Sequence, residues 1–320
     1  MLSTAVKCTL LQPEKSDLEE WRALGPLAHL EMAQKTVLII YAHHSPKSFN
    51  AAAKDVAVQT LTAQGYKVIV SDLYAMNFHP TVSPADIKGN LKNPEHFLYA
   101  EEAYIGWKED RLSDDIKAEH RKVAQADLII FQFPLYWYSF PAIMKGWIER
   151  VLTRGFAYTL QNTYDNGLCK DKKALLSFTT GAPECKYEPD GINGDVNVML
   201  WPLQNGVLHF CGFQVLAPQI FWGPARASPS DRAAMLESWQ ARLKGLLEEK
   251  KVAFASGKLF DLSLQAGFKL RPEVKEEYRS KSYGLTTGQH LGKPLPPDNQ
   301  TKASSACDPS ASAKHSQKKV

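Results

Sequence analysis

The chain has 320 residues, with 44% hydrophobic and 22% charged residues, enough for one large domain or two ordinary ones around a sizeable core. A net charge of +4, partly from Lys302, Lys314, Lys318 and Lys319, comes with no basic stripe, which argues against a nucleic-acid partner. No apolar run reaches the roughly 18 residues of a membrane-spanning helix, and five scattered cysteines (Cys8, Cys169, Cys185, Cys211, Cys307) without a CxxC pair fit free thiols in a reducing compartment. Residues 1–34 mix Lys7, Lys15 and Arg22 with Glu14, Asp17, Glu19, Glu20 and Glu31. That is neither a signal peptide nor a transit peptide. The expectation is an appended, poorly ordered N-terminal segment, with Met32 as an authentic or alternative start.

Lys35–Tyr41 (KTVLIIY) has the pattern of a strand buried on both faces. A polar loop, Ala42–Asn50, then leads into a predicted helix over Ala51–Gln64 that Gly65 ends. His43, Phe49 and Asn50 stand where a helix N-terminus offers unpaired N–H groups to phosphate; the same residues also describe an ordinary capped loop. Lys67–Val70 reads as a second strand. Residues 73–114 form a long connection with interleaved aromatics, of the kind that covers a site or builds an interface. A helix is predicted over Asp114–Ala126.

Leu128–Arg150 is the stretch around which the chain is organised. An apolar strand from Leu128 ends at Pro134, since proline cannot donate to a ladder. Leu135, Tyr136, Trp137 and Tyr138 follow. Pro141 then opens a helix over Ala142–Leu152. Three consecutive aromatics between two prolines cannot all point inward, although Trp137 and Tyr138 also suit a core. Lys173–Phe178 is the next strand. It runs into Thr179-Thr180-Gly181-Ala182-Pro183, whose small residues let a flat ligand approach the backbone. Asn197–Phe210 reads as a helix, Gln214–Trp222 as a last strand and Ser230–Glu249 as an amphipathic helix. This alternation predicts a doubly wound parallel α/β sheet with helices on both faces. The loops near residues 43, 134 and 179 should converge at its carboxyl edge. Residues 35–249 are expected to form this domain, 250–302 a small C-terminal subdomain and 303–320 a disordered tail.

The motifs FQFPLYWYSFPAIMKGWIERV, YAHHSPKSFN, SDLYAMNF, SFTTG…Y…GINGDVN and LHFCGFQVL resemble those of the NAD(P)H:quinone oxidoreductases from about Lys35 to about Lys302. The resemblance implies a flavodoxin-like fold, bound FAD, a cytosolic homodimer with sites at the subunit interface, and ping-pong hydride transfer from NAD(P)H to a quinone. It assigns His43, Phe49 and Asn50 to the FAD phosphates, and Pro134, Leu135, Tyr136, Trp137 and Tyr138 to the isoalloxazine. Thr179, Thr180, Gly181 and Ala182 match the second flavin loop, and Arg232 the adenine end. Tyr187 and Asn193 take catalytic positions, Tyr187 also against the flavin. Trp137, Tyr138, Phe156, Ala157, Tyr158 and Phe210 match walls of the quinone pocket. The chain also departs from the family. Asn193 replaces a histidine of the NAD(P)H branch and matches the branch that uses dihydronicotinamide riboside, whereas the C-terminal extension is that of the NAD(P)H branch. Leu160 and Leu264 replace pocket aromatics, and Arg226 stands for a histidine. Asn205 replaces a metal-site histidine of the riboside branch, so no metal is expected and His209 reads as a helix residue. The competing readings are a riboside-dependent reductase and a low-turnover, flavin-bound regulatory partner.

Overall fold

The computed structural model describes residues 34–296; the expectations for the first 33 residues and for the tail lie outside them. β1 (Thr36–Tyr41), β2 (Lys67–Asp72), β3 (Leu128–Pro134), β4 (Lys173–Thr179), β5 (Gln214–Val215) and β6 (Gln219–Phe221) form one parallel sheet. Its order is β2-β1-β3-β4-β5, and β6 also pairs with β4. The helices are α1 (Phe49–Ala63), α2 (Tyr99–Lys108), α3 (Asp114–Gln125), α4 (Ala142–Val151), α5 (Val196–Trp201), α6 (Pro229–Leu243) and α7 (Pro272–Arg279).

Strand periodicity explains both layers. Val37, Ile39, Tyr41, Leu128 and Ile130 belong to the core under α1 and α6, with Trp239 and Leu243. Their alternating neighbours Leu38, Ile40, Ile129, Phe131 and Phe133 join Met144 and Trp147 of α4 in the other core. Successive side chains point to opposite faces, so a strand covered on both sides must be apolar throughout. Trp239 Nε1 donates to the Ala53 carbonyl (3.1 Å), tying α6 to α1.

Three elements differ from the sequence expectation. The predicted last strand is broken into β5 and β6 around Ala217-Pro218, because Pro218 has no N–H for the ladder. Arg242 donates to the freed carbonyls of Ala217 (2.6 Å) and Pro218 (3.1 Å). The predicted helix 197–210 begins as α5, but from Pro202 to His209 it is a π-helix; Phe210 N–H reaches back five residues to the Asn205 carbonyl (3.0 Å). Pro202 removes a donor at the junction, where the register changes. The long connection contains α2, whose start carries no side-chain cap. Instead Glu102 accepts the N–H groups of Lys92 (2.9 Å) and Asn93 (2.8 Å), which hold its carboxyl below the usual range.

Residues 250–296 begin alongside β5, where Val252 N–H donates to the Val215 carbonyl (2.8 Å). Ser256 Oγ (2.7 Å) and Gly257 N–H (2.8 Å) donate to the Asp165 carboxylate. Lys293 donates to the carbonyls of Tyr278, Arg279 and Lys281 at the end of α7, satisfying groups a helix C-terminus leaves open.

Candidate active site at the carboxyl edge of the sheet

In the order β2-β1-β3-β4-β5 the strand order reverses between β1 and β3 while the strands stay parallel, and a crevice opens at their carboxyl ends. A fully buried polar chain holds that edge together. Asn50 Nδ2 donates to Thr179 Oγ1 (2.9 Å), Gln132 Nε2 to Asn50 Oδ1 (2.9 Å) and Ser177 Oγ to Gln132 Oε1 (2.7 Å). The start of α1 is thereby fixed to the ends of β3 and β4. Ser48 caps α1 by accepting Ala51 N–H (3.1 Å). Phe49 packs its ring on Phe221 at 5.1 Å. His43 Nδ1 accepts Ser45 N–H (3.0 Å), and burial, with the stacked His44, lowers its pKa. The neutral ring therefore carries its proton on Nε2, as a donor.

The aromatic loop is a tight turn. Ser139 N–H donates to the Tyr136 carbonyl (3.0 Å), and both central residues have positive φ, Trp137 at 49° and Tyr138 at 60°. Such a turn favours Asn-Gly. Two aromatics there cost about 1–3 kcal/mol each. Trp137 is 95% exposed and Tyr138 48%, so core packing does not repay that strain. Thr180 latches the second loop: its Oγ1 donates to the Ala182 carbonyl (2.7 Å) and accepts Gly223 N–H (3.0 Å). Gly181 has no positive φ, and a Cβ there would meet no protein atom within 4 Å. Neither backbone nor packing requires a glycine, and the space a side chain would fill is the cleft.

Leu135, Trp137, Tyr138, Gly181, Ala182, Lys186, Tyr187 and Asn193 line one cleft of about 340 Å³. Tyr187 is buried, with its ring centroid 5.3 Å from Trp222 and 6.3 Å from Tyr138. Burial raises its pKa, with Asn193's side chain pulling the other way, so the phenol stays protonated at neutral pH. Pro134, Thr179 and Thr180 support this cleft from the strand ends. Lys186 was missed at the sequence level; its position next to Tyr187 was the available signal.

The single chain places the other candidates elsewhere. Phe156 stacks on His120 (3.7 Å) beside a separate cavity of about 280 Å³. Ala157 is in the core, and Tyr158 packs on Phe210 (5.1 Å). Arg232 donates to the carbonyls of Ala227 (2.5 Å) and Pro224 (3.4 Å) after β6. His209 Nδ1 lies 3.1 Å from Asn205 Oδ1, with its ring stacked on Phe254 at 4.4 Å. A larger cavity of about 900 Å³ is lined by Leu160, Tyr164, Lys258, Phe268 and Arg271 among others, where residues 160–166 meet the C-terminal segment. No helix of the described residues is long and apolar enough to cross a membrane.

Residues 35–243 match a family described as having a flavodoxin-like fold. The chain is 52% identical over 271 residues to NAD(P)H dehydrogenase [quinone] 1 of Cavia porcellus, covering 85% of this chain and 98% of that one. The chain belongs to the NAD(P)H:quinone oxidoreductase family. Ribosyldihydronicotinamide dehydrogenase [quinone] of Rattus norvegicus is 55% identical over 221 residues, 69% of this chain and 96% of its own. A Klebsiella pneumoniae structure described as a candidate quinone reductase superposes with a TM-score of 0.70 at 35% identity, covering 75% of this oxidoreductase and 95% of itself. The flavodoxin-like sheet expected from the motifs is thus confirmed.

Proposed function

We propose that this oxidoreductase reduces quinones with electrons from NAD(P)H, using FAD held at the carboxyl edge of the sheet. The observation that carries the reading is the cleft uniting the strained Trp137-Tyr138 turn, the open Gly181 floor and Tyr187 with Asn193, in a chain so similar to NAD(P)H dehydrogenase [quinone] 1. The residues present fit a flavin: the space beside Gly181 is vacant of protein, the α1 N-terminus offers N–H groups, and the Asn50 amide is fixed nearby.

In this reading His43 Nε2–H and the first N–H groups of α1, at Phe49 and Asn50, face the phosphates. Pro134, Leu135, Tyr136, Thr179, Thr180, Gly181 and Ala182 border the ring system, and Arg232 lies toward the adenine. Flavin held by these residues would supply the hydride chemistry, ping-pong between NAD(P)H and a quinone. Tyr187, kept protonated by burial, donates a hydrogen bond to oxygen on which negative charge develops. Asn193 orients that hydroxyl without taking a proton. Trp137 and Tyr138 hold flat substrates parallel to the ring system. Phe156, Tyr158 and Phe210, each partly exposed, come from a second copy in a homodimer, with Ala157 buried behind them; the exposed Leu160, Leu262, Leu264 and Phe268 support such an apolar contact. The protein works in the cytosol.

Asn193 favours a second reading for the donor, dihydronicotinamide riboside, while residues 250–296 favour NAD(P)H. The purified protein should show a flavin spectrum and reduce menadione with NADH or NADPH. Activity with dihydronicotinamide riboside alone would overturn the NAD(P)H assignment, and bound flavin without turnover would overturn the enzymatic one.

A further inference from the structure

Tyr187 is preceded by a lysine that the proposed chemistry leaves unused. Lys186 sits in the short 3-10 turn Glu184–Tyr187, and of the residues lining the cleft it alone carries a formal charge. Its backbone is fixed. The Lys186 N–H donates to the Pro183 carbonyl (3.2 Å), and its carbonyl accepts Asn193 N–H (2.8 Å). Gly191 lies so close that a Cβ there would fall 2.6 Å from the Lys186 carbonyl carbon. The side chain is exposed, and its ammonium has no hydrogen-bond or ion-pair partner among the described residues. Glu184, Glu188 and Asp190 on the same loop form no ion pair with it.

The other cleft residues discriminate shape and hydrogen bonding. Trp137 and Tyr138 favour flat rings, and Tyr187 and Asn193 favour an oxygen acceptor. None of them distinguishes a neutral ring from a charged one. A lysine lining the cleft, its ammonium unpaired among the described residues, does, because a substrate anion within its reach gains attraction without displacing an existing partner. We infer that the cleft selects planar acceptors bearing a negative charge, quinones with a carboxylate or sulfonate substituent, and that Lys186 is the specificity-determining residue. The inference rests on the quinone-reductase reading above. It adds no step to the reduction; the ammonium keeps its protons and acts on binding of the second substrate.

The test compares kcat/KM for neutral menadione and for a naphthoquinone sulfonate. Lys186→Gln should lower the sulfonate-to-menadione ratio about fivefold, the scale of a partly exposed charge pair, mainly through KM for the sulfonate. Lys186→Arg should restore the ratio. In the wild type the preference should fade near 1 M salt, where the Debye length is about 3 Å. A ratio unchanged in Lys186→Gln overturns the inference while leaving the reductase reading intact. Calorimetric titration of a naphthalene sulfonate into the full chain gives a readout that needs no turnover. Weaker binding to Lys186→Gln supports selection, and equal affinity overturns it. If the wild type reduces neither quinone, the reductase reading fails and the titration alone decides the inference.

Discussion

At the carboxyl edge of the sheet the buried polar groups are neutral; beneath the long connection they are charged. Asn50, Gln132, Ser177 and Thr179 form the first set. In the second, buried Arg150 donates to both oxygens of Asp86 (3.0 and 2.9 Å), to Asp115 (2.7 Å) and to the His79 carbonyl (2.9 Å). Buried Glu119 accepts from Ser71 (2.8 Å), Trp147 Nε1 (2.8 Å) and Lys122 (2.6 Å). The difference follows from the two tasks. Arg150 anchors the long connection through Asp86 and His79, a guanidinium supplying several donors in fixed directions, while Glu119 ties α3 to β2 and α4. A ligand edge needs donors and acceptors held in place without a strong standing field, which amides and hydroxyls provide.

The largest expected effect breaks the charged side. Arg150→Met leaves Asp86 buried without its cation and should cost about 3–5 kcal/mol in denaturant unfolding. A loss under about 1 kcal/mol would mean that the anchor contributes little. His120 is a buried, titratable neutral group in this region. Its Nε2 lies 2.8 Å from the Val151 carbonyl, and burial pushes its pKa down to about 4 from 6.5. The unfolded state therefore binds the proton first as the pH falls. Stability should drop between pH 6.5 and about 4, by up to about 3 kcal/mol, and stay level in this respect outside that window. His120→Gln keeps a donor for Val151 and should flatten that part of a melting-temperature-against-pH curve.

On the neutral side, Gln132→Leu strands Asn50 Oδ1 and Ser177 Oγ and should cost about 1–3 kcal/mol. Tyr187→Phe should slow flavin reduction in stopped flow about tenfold, the worth of one ordinary hydrogen bond, with FAD content retained; an unchanged rate removes the hydroxyl from the chemistry. The smallest effect on stability belongs to Gly181→Val, within about 0.5 kcal/mol, because no protein atom lies where the side chain would go. That variant should nonetheless lose flavin.

The sequence carried the sheet well because its strands are buried on both faces. The run Leu128–Pro134 is β3, and Thr36–Tyr41 and Lys173–Thr179 fall within a residue of expectation. Pro218 signals the break between β5 and β6, but the apolar residues on both sides of it mask that signal. The π-helix was not legible, since its composition is that of an α-helix and only the hydrogen-bond register differs. Within the candidate site, the loops after β1, β3 and β4 are legible from their residue types. Gln132 is not, although a lone amide in a strand buried on both faces requires partners and so points to a network. The conformation of Trp137-Tyr138 was also hidden, because nothing in that pair favours positive φ.

In the proposed function these three strand ends grip one flavin. That grip is tested most directly by titrating the purified chain and its Gly181→Val variant with FAD while recording the visible spectrum. The wild type should bind one equivalent with a perturbed flavin spectrum, and the folded variant little or none. A wild-type chain that stays colourless and takes up no FAD would contradict it.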